Sequence, residues 1–567
     1  MTQYRDRTTD PATEAVDVAG GADAALGINP LAGISNADML AAFQQVATQT
    51  IRQPLRALNE TASFFQEVTR ALTGQSDLAP GPKDKRFTDP AWKENPLYRA
   101  WLQTYLAWGK SLQQFVAGLD LPEKDEQRAE FVASLITDAA APTNSWLGNP
   151  AAIKTFLDTG GTSAARGLMH LVRDLAEGGG TPAQVDKSAF KVGENLAVSP
   201  GAVVFKNEVL ELIQYTPATE RVYRRPVLVM PPQINKFYII DLAPGRSFTE
   251  FAVKNGFQVF TISWRNPTPA QRDWGLDTYV QAALEAMDAV RAITRSENVN
   301  LLGACSGGIT MAVMLGHLAA TEDRRAHTAT LMVAVLDTEA ESQLGMFATP
   351  ETIAAAKAAS RARGVLEGQE LARVFAWLRP NDLVWNYWVN NYLLGNDPPA
   401  FDILYWNNDT TNLPARLHAE YLDMVLNNPF HGGKPLTLLG TPIDPSKVEL
   451  DTFMLAGLTD HITPWKACFA STQILGGHKE FVLSSSGHVQ SIVNPPGNPK
   501  ARYFLNPDLP ADPDAWLGAA QERPGSWWEH WRDWLAERSG GQKNAPTALG
   551  NKQHPPGAKA PGRYVLE

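Results

Sequence analysis

The chain has 567 residues, of which 44% are hydrophobic and 19% charged, and its formal net charge is −10. This composition supplies a large core and excludes a disordered chain, and the acidic balance argues against a nucleic-acid partner. Two cysteines, Cys305 and Cys468, cannot build a disulfide framework or a cysteine zinc site, which indicates a reduced, cytosolic protein. The polar start and the short apolar runs predict neither a signal peptide nor a membrane span.

The first third of the chain predicts a helical domain. Residues 1–30 show little periodicity, which predicts a flexible tail. Apolar residues at helical spacing then predict a helical N-terminal domain over 31–185, with one long helix starting at Pro96. The GGGTP segment at 178–182 marks its end. Further helices are predicted at 125–137, 150–158 and 161–177.

From residue 186 to 540 the pattern changes to short, wholly apolar strands that alternate with helices. This alternation predicts an α/β fold with a mostly parallel sheet. The predicted strands are 202–205, 209–215, 226–230, 257–262, 299–302, 331–336, 448–457 and 480–483. The two clearest helices are 276–294 and 308–320.

Two segments of this second domain are rich in tryptophan, and the chain has 16 tryptophans in all. Residues 338–445 are long, mostly helical and aromatic, which predicts a lid or cap inserted between sheet strands. A Trp-rich amphipathic helix over 526–537 ends the folded part, and 541–567 is predicted to be a flexible polar tail. These aromatic side chains belong either to the core or to a surface that contacts an apolar phase.

The segment GACSGG at 303–308 lies between a predicted strand and a predicted helix. In a nucleophile elbow, glycines stand two positions before and two after the nucleophile. That spacing holds for Cys305, flanked by Gly303 and Gly307, and fails for Ser306. A helix N-terminus also favours the thiolate form of a cysteine. Cys305 is therefore the predicted nucleophile.

The partners of such a nucleophile follow in the order acid, then histidine. Asp460 and His488 each come directly after a predicted strand, and we predict that they complete a catalytic triad. His461 is the rival histidine, but it directly follows Asp460 and should point away from it. Cys468 has no glycine elbow and is predicted to be structural.

An oxyanion hole needs two N–H donors. The first is predicted to be the backbone N–H of Ser306, the residue after the nucleophile. The second should come from the loop PPQINK at 231–236, in which the two prolines have no N–H. This leaves Gln233, Ile234 or Asn235, and we favour Ile234.

Several longer motifs resemble those of the polyhydroxyalkanoate synthases. They are RFTDPAW (86–92), APTN (141–144), PPQINKFYIIDL (231–242), GACSGG (303–308), DHITPW (460–465) and SGHVQSIVNPPGNPKA (486–501). GACSGG and the stretch NNYLLGNDPPAFDILYWNNDTTNLP (390–414) are similar to the medium-chain-length type of pseudomonads. The resemblance covers nearly the whole chain.

The resemblance implies an α/β-hydrolase fold and an acyltransferase (EC 2.3.1.-) that polymerises (R)-3-hydroxyacyl-CoA into polyester and releases CoA. It places the triad on Cys305, Asp460 and His488, and it requires no metal or cofactor. It further implies a homodimer in the cytoplasm, at the surface of polyester granules, with phasin-type granule proteins as possible partners.

Two other functions stay open at this point. A cysteine-type α/β-hydrolase, acting as a thioesterase or a polyester depolymerase, would use the same triad and would produce free acid. A granule-binding protein with a relic elbow would show no activity that depends on Cys305.

Overall fold

The computed structural model describes residues 53–82, 84–177, 181–338, 350–370, 372, 380–432, 435–460 and 462–567. The predicted tail over 1–30 and His461 lie outside the described residues. The chain divides into two compact units. One is built from Gly33–Asp186 with Arg373–Pro399, and the other contains Lys187–Ala372 and Ala400–Glu567.

The first unit is helical, as predicted. Proline at the first position sets the start of three of its helices, and Asn95 and Asn149 cap two of these through side-chain oxygens that accept backbone N–H groups. Phe87, Trp92 and Tyr105 lie at the centre of one of its apolar clusters. Its helices are α1 (Pro54–Leu72), α2 (Ala91–Glu94), α3 (Pro96–Ala117), α4 (Glu123–Ala139), α5 (Pro150–Asp158) and α6 (Thr162–Glu177), with 3₁₀ turns at Lys85–Phe87 and Pro142–Asn144 and π-helical turns at Asn381–Trp385 and Trp388–Leu393.

Part of the predicted cap belongs to this helical unit, which corrects the boundaries 338–445. Asn391 Nδ2 donates to the carbonyl oxygen of Ala183 at 2.7 Å, and the Tyr392 hydroxyl donates to Asp174 Oδ2 at 2.7 Å. These buried bonds join residues about 200 positions apart. A local sequence pattern cannot predict hydrogen bonds between residues so far apart in the chain.

The second unit is built on a ten-stranded sheet within the described residues. Its six central strands are parallel, and the two strands at each edge are antiparallel. The mostly parallel α/β sheet is therefore confirmed. The described strands of this unit are β1 (Gly201–Lys206), β2 (Leu210–Tyr215), β3 (Arg221–Tyr223), β4 (Val227–Met230), β5 (Val259–Trp264), β6 (Val299–Ala304), β7 (Ala326–Met332), β8 (Val365–Leu366), β9 (Leu413–Pro414), β10 (Thr437–Leu438), β11 (Thr441–Pro442), β12 (Asp451–Gly457), β13 (Lys479–Ser484), β14 (Arg502–Leu505), β15 (Gln521–Pro524) and β16 (Gln542–Asn544). The ten-stranded sheet has the order β1-β2-β5-β4-β6-β7-β12-β13-β14-β15, and the other six strands form two-stranded pairs.

Helices and short turns connect these strands. The helix that follows β6 is buried over almost its whole length, because it packs against the sheet. No described helix is long and apolar enough to cross a membrane. The helices are α7 (Phe248–Lys254), α8 (Leu276–Thr294), α9 (Ser306–Ala320), α10 (Pro350–Arg363), α11 (Asp402–Asn408), α12 (Ala415–Asn427), α13 (Trp465–Ala470), α14 (His488–Ile492), α15 (Pro513–Ala519) and α16 (Trp527–Arg538), with 3₁₀ turns at Lys187–Ala189, Phe237–Ile239, Pro269–Gln271, Pro445–Lys447, Ser471–Gln473 and Tyr564–Leu566.

Strand β7 begins and ends earlier than the predicted strand 331–336. Val333, the residue after it, has a φ of 46°, a left-handed conformation that a strand cannot contain. Its N–H donates to the carbonyl oxygen of Leu455 in the neighbouring β12 at 2.8 Å. The apolar residues after Val333 are therefore buried loop, and their hydrophobicity alone does not distinguish loop from strand.

The tryptophans of α16 belong to the core. Trp527, Trp528, Trp531 and Trp534 are all buried. The ring of Trp531 lies 4.6 Å from that of Phe248, measured between centroids. These side chains hold the helix on the sheet, so they are not a surface for an apolar phase.

Residues 541–567 are packed against the second unit, which corrects the prediction of a flexible tail. Strand β16 pairs with β3, and Tyr564 and Val565 are buried. The buried Glu211 carboxylate accepts the backbone N–H groups of Arg563 and Tyr564 at 2.7 and 3.0 Å. The segment carries no periodic pattern, and its partners in β3 and at Glu211 lie more than 300 residues away in sequence.

Candidate active site

Cys305 occupies the turn between strand β6 and helix α9. Its φ of 49° and ψ of −124° are strained for a residue with a side chain, and its N–H donates to the carbonyl oxygen of Met332 at 2.9 Å. The neighbouring strand thus holds the turn in place. The side chain is partly exposed, which leaves the thiol accessible.

The glycines of GACSGG are required by close backbone contacts. A Cβ on Gly307 would lie 2.4 Å from the carbonyl oxygens of both Met230 and Pro231. A Cβ on Gly303 would lie 2.8 Å from the Cα of Gly308. The missing side chains therefore let helix α9 start directly against strand β6 and against the end of β4. This is the geometry that the elbow pattern predicts.

The structure brings the predicted acid and histidine together beside Cys305. Asp460 follows β12, and His488 follows β13 as the first residue of α14. Nδ1 of His488 lies 2.7 Å from Oδ2 of Asp460, and both side chains are buried. The nearby Cys305 side chain also contributes to raising the pKa of His488. The three side chains meet because β6, β12 and β13 run parallel and end at the same edge of the sheet.

Thr463 holds the carboxylate of Asp460 in this orientation. Its hydroxyl donates to Oδ2 at 2.7 Å, while the N–H groups of Ile462 and Thr463 donate to Oδ1 at 2.8 and 3.0 Å. The Thr463 hydroxyl also lies 3.1 Å from Nδ1 of His488. Sequence reasoning missed this residue, although it lies in the motif DHITPW. An acid followed three positions later by a hydroxyl residue is the only local signal for it.

The acid and the histidine shift each other's pKa. Burial lowers the pKa of His488, but the adjacent Asp460 carboxylate and its hydrogen bond outweigh burial and raise this pKa well above its ordinary value. Burial likewise raises the pKa of Asp460, but the His488 charge and the hydrogen bonds from His488 and Thr463 hold it below its ordinary value. A strongly basic imidazole is the form that takes a proton from a thiol.

The loop at 231–236 runs beside the elbow. The N–H of Gln233 donates to the hydroxyl of Ser306 at 3.2 Å, and Asn235 pairs with Thr410 in an isolated β-bridge. Of the candidate donors Gln233 and Asn235, the N–H of Gln233 is thus engaged within the protein. Ile234, between them, is only partly buried.

Cys468 lies on α13 and is buried. Its Sγ lies 3.5 Å from the carbonyl oxygen of Thr463, and burial raises its thiol pKa well above the ordinary value. A buried, protonated thiol is a poor nucleophile. Among the residues that the structure describes, no group of three or more His, Cys, Asp or Glu could hold a metal ion.

Comparison with known families gives two matches. The family model described as the N-terminus of poly-beta-hydroxybutyrate polymerase (PhaC) matches residues 83–252. The model described as the alpha/beta hydrolase fold matches residues 226–495. The second match spans the strands that carry Cys305, Asp460 and His488.

The chain is also similar to curated proteins over nearly its whole length. Poly(3-hydroxyalkanoate) polymerases 1 and 2 of Ectopseudomonas oleovorans are 54% and 52% identical to it, covering 96% and 95% of this chain and 97% and 96% of their own. The poly(3-hydroxyalkanoate) polymerase subunit PhaC of Cupriavidus necator is 38% identical, covering 94% of this chain and 91% of its own. Among solved structures, a hydrolase from Pseudomonas aeruginosa PA01 is 15% identical, with a TM-score of 0.27, covering 52% of this chain and 92% of that one.

Proposed function

The chain belongs to the poly(3-hydroxyalkanoate) polymerase family, and from this premise we propose that it polymerises (R)-3-hydroxyacyl-CoA through Cys305, with His488 and Asp460 as its acid–base pair. One observation carries this proposal. The buried side chains of Asp460 and His488 are hydrogen-bonded at 2.7 Å, at the sheet edge where the strained turn presents Cys305.

The first step loads the enzyme. His488 takes the proton of the Cys305 thiol, and the thiolate attacks the carbonyl carbon of the acyl-CoA thioester. A bond from Cys305 Sγ to the acyl carbon forms, the bond to the CoA sulfur breaks, and CoA leaves with the proton from His488. We place the N–H groups of Ser306 and Ile234 at the oxyanion, because the N–H of Gln233 donates to Ser306 Oγ instead.

The second step makes the ester bond. The 3-hydroxyl of another hydroxyacyl group attacks the Cys305-bound acyl carbon, and its proton passes to His488, with or without help from Asp460. An oxoester forms and the Cys305 thiolate is released, so each cycle adds one unit and frees one CoA. Cysteine suits this step because a thioester keeps the acyl group activated. From an acyl-serine, transfer to a hydroxyl would be nearly thermoneutral.

We propose medium-chain hydroxyacyl groups as the substrates. The similarity to the two polymerases of Ectopseudomonas oleovorans, and the stretch at 390–414, support this choice.

The test measures CoA release and the acyl product with purified protein, on (R)-3-hydroxydecanoyl-CoA and (R)-3-hydroxybutyryl-CoA separately. We expect insoluble polyester from the longer substrate and none with Cys305→Ala. Polymer from the shorter substrate alone would contradict the chain-length proposal. Free hydroxy acid without polymer would indicate the thioesterase or depolymerase alternative. Activity that survives Cys305→Ala would remove Cys305 from the mechanism.

We further propose that the protein works as a homodimer at the surface of cytoplasmic polyester granules, where phasin-type proteins are possible partners. Helix α6 supports granule contact, since Leu168, Val172 and Leu175 recur on one face and are each about 60% exposed. Serine at all three positions should reduce co-sedimentation with granules while CoA release in solution is retained. Unchanged co-sedimentation would exclude this face.

A further inference from the structure

The side chain of Tyr421, on helix α12 within the predicted cap, packs against the nucleophile elbow. The buried hydroxyl of Tyr421 lies 3.0 Å from Thr310 Oγ1, 3.0 Å from Gln233 Oε1 and 3.4 Å from the carbonyl oxygen of Ser306. Thr310 is one turn into α9, and Gln233 lies in the loop that faces the elbow. One hydroxyl therefore contacts the cap, the elbow helix and the oxyanion loop together.

These side chains close a ring of hydrogen bonds. Tyr421 donates to Gln233 Oε1, and Gln233 Nε2 donates to Thr310 Oγ1 at 3.0 Å. The Thr310 hydroxyl can then donate to the Tyr421 oxygen, so each of the three side chains both donates and accepts a hydrogen bond. Burial raises the pKa of Tyr421, which keeps the donor proton in place. Every member is buried, so removing one hydroxyl takes a hydrogen bond from buried polar groups on both of its partners.

The ring fixes a loop whose main chain is held from two other directions. The N–H of Gln233 donates to Ser306 Oγ at 3.2 Å, and its carbonyl oxygen accepts the hydroxyl of Thr411 at 2.8 Å. Gln233 is therefore held in place through its side chain, its N–H and its carbonyl oxygen. The next residue is Ile234, the proposed oxyanion donor.

We propose that Tyr421 is a positioning residue that sets the oxyanion loop from the cap. This inference rests on the proposed function, because the oxyanion exists only during acyl transfer. The cap is then more than a cover over the site. One of its helices fixes the donor that stabilises the transition state.

Tyr421→Phe tests the proposal, because it removes one oxygen atom and keeps the ring. We expect kcat for CoA release to fall roughly tenfold to a hundredfold, with little change in KM. Alkylation of Cys305 by iodoacetamide should proceed at the wild-type rate, because displacement of iodide forms no oxyanion. Cys468 is buried and should not contribute to this labelling.

Two further variants separate this role from a loss of stability. Thr310→Val keeps the side-chain shape and removes a second hydroxyl of the ring. It should also lower kcat and leave the rate of Cys305 alkylation unchanged. This variant tests the proposal if Tyr421→Phe does not fold. Tyr392→Phe is the matched control, since it also removes a buried hydroxyl bond, to Asp174, in the helical unit. It should lower stability and leave kcat unchanged.

The outcomes divide cleanly. An unchanged kcat in folded Tyr421→Phe and Thr310→Val overturns the proposal. Alkylation that falls in step with kcat also overturns it, because Tyr421 would then act through the nucleophile. If the wild-type protein releases no CoA from hydroxyacyl-CoA, this result contradicts the proposed function instead. It is obtained before any variant is compared.

Discussion

Nδ1 of His488 lies 2.7 Å from Oδ2 of Asp460, and the hydroxyl of Thr463 contacts both groups, at 3.1 and 2.7 Å. The nitrogen that faces the carboxylate is thereby defined, which leaves Nε2 to exchange protons at the elbow. Because the pKa of the imidazole is raised and that of the carboxyl lowered, the pair favours imidazolium beside carboxylate.

Asp460→Asn should reduce both nucleophile reactivity and turnover. Without the carboxylate the imidazolium loses its main stabilisation and the pKa of His488 falls, so His488 becomes a weaker base toward the Cys305 thiol. We expect kcat to fall about a hundredfold or more. The pH profile of the rate of Cys305 alkylation should shift to higher pH. An alkylation profile identical to that of the wild type would show that Asp460 does not set the basicity of His488.

The two cysteines should behave oppositely. Cys305→Ala is expected to abolish CoA release, whereas Cys468→Ala should retain it, because Cys468 is buried and bonded only to a backbone carbonyl. Mass spectrometry after brief iodoacetamide treatment should find the label on Cys305 in the folded protein. Rapid labelling of Cys468 before unfolding would contradict its placement.

Gly307→Ala should disrupt the elbow. The new methyl group would lie 2.4 Å from two carbonyl oxygens at the end of β4, and backbone cannot yield as a flexible side chain does. We expect activity below about 1% of wild type and a lowered melting temperature. Gly518→Ala is the control, since nothing lies within 4 Å of its Cβ position in α15. That change should leave both quantities nearly unaltered, and equal effects of the two changes would refute the packing argument.

Asp241 should make stability depend on pH. Burial raises the pKa of its carboxyl to about 6, against the hydrogen bonds from Ser199 and Ser247. The folded state then binds this proton more tightly than the unfolded chain. Its contribution to stability is therefore present at low pH, is lost between about pH 4 and pH 6, and stays lost above.

Asp241→Asn cannot ionise, so it removes this dependence. The free energy of unfolding of the wild type, relative to that of the variant, should fall by about 3 kcal/mol across that range. Urea unfolding of both proteins at several pH values measures the difference. Parallel curves would show that the Asp241 carboxyl does not hold its proton in the folded state.

Tyr564→Ala should destabilise the second unit. The ring is buried, its hydroxyl donates to the carbonyl oxygen of Asn207 at 2.8 Å, and Lys206 Nζ lies 4.3 Å from the ring centroid. Truncation of a buried aromatic side chain costs about 3–5 kcal/mol. The wild type should also resist limited proteolysis within 541–567, and the variant should be cleaved there. Rapid cleavage of the folded wild type would restore the flexible tail that the sequence predicts.

The strand, elbow and helix around Cys305 could be predicted from the sequence because their signals are local. Glycine spacing, an apolar strand of a few residues and a helix directly after it all fall within 299–320. Asp460 and His488 could be selected because each follows a strand of the same parallel sheet. The sequence limits the second oxyanion donor only to three residues of the loop, because whether a backbone N–H is already hydrogen-bonded depends on its neighbours in space.

The sequence by itself determined which elements form and in what order, since periodicity, capping residues and glycine spacing act over a few positions along the chain. Only the tertiary structure decided that 541–567 packs on the sheet, that the tryptophans of α16 are core, that part of the cap belongs with the helical unit, and that Tyr421 reaches under the elbow. The physical reason is common to all four. Burial and hydrogen bonding join groups hundreds of residues apart, and no local pattern records which distant partner a side chain meets.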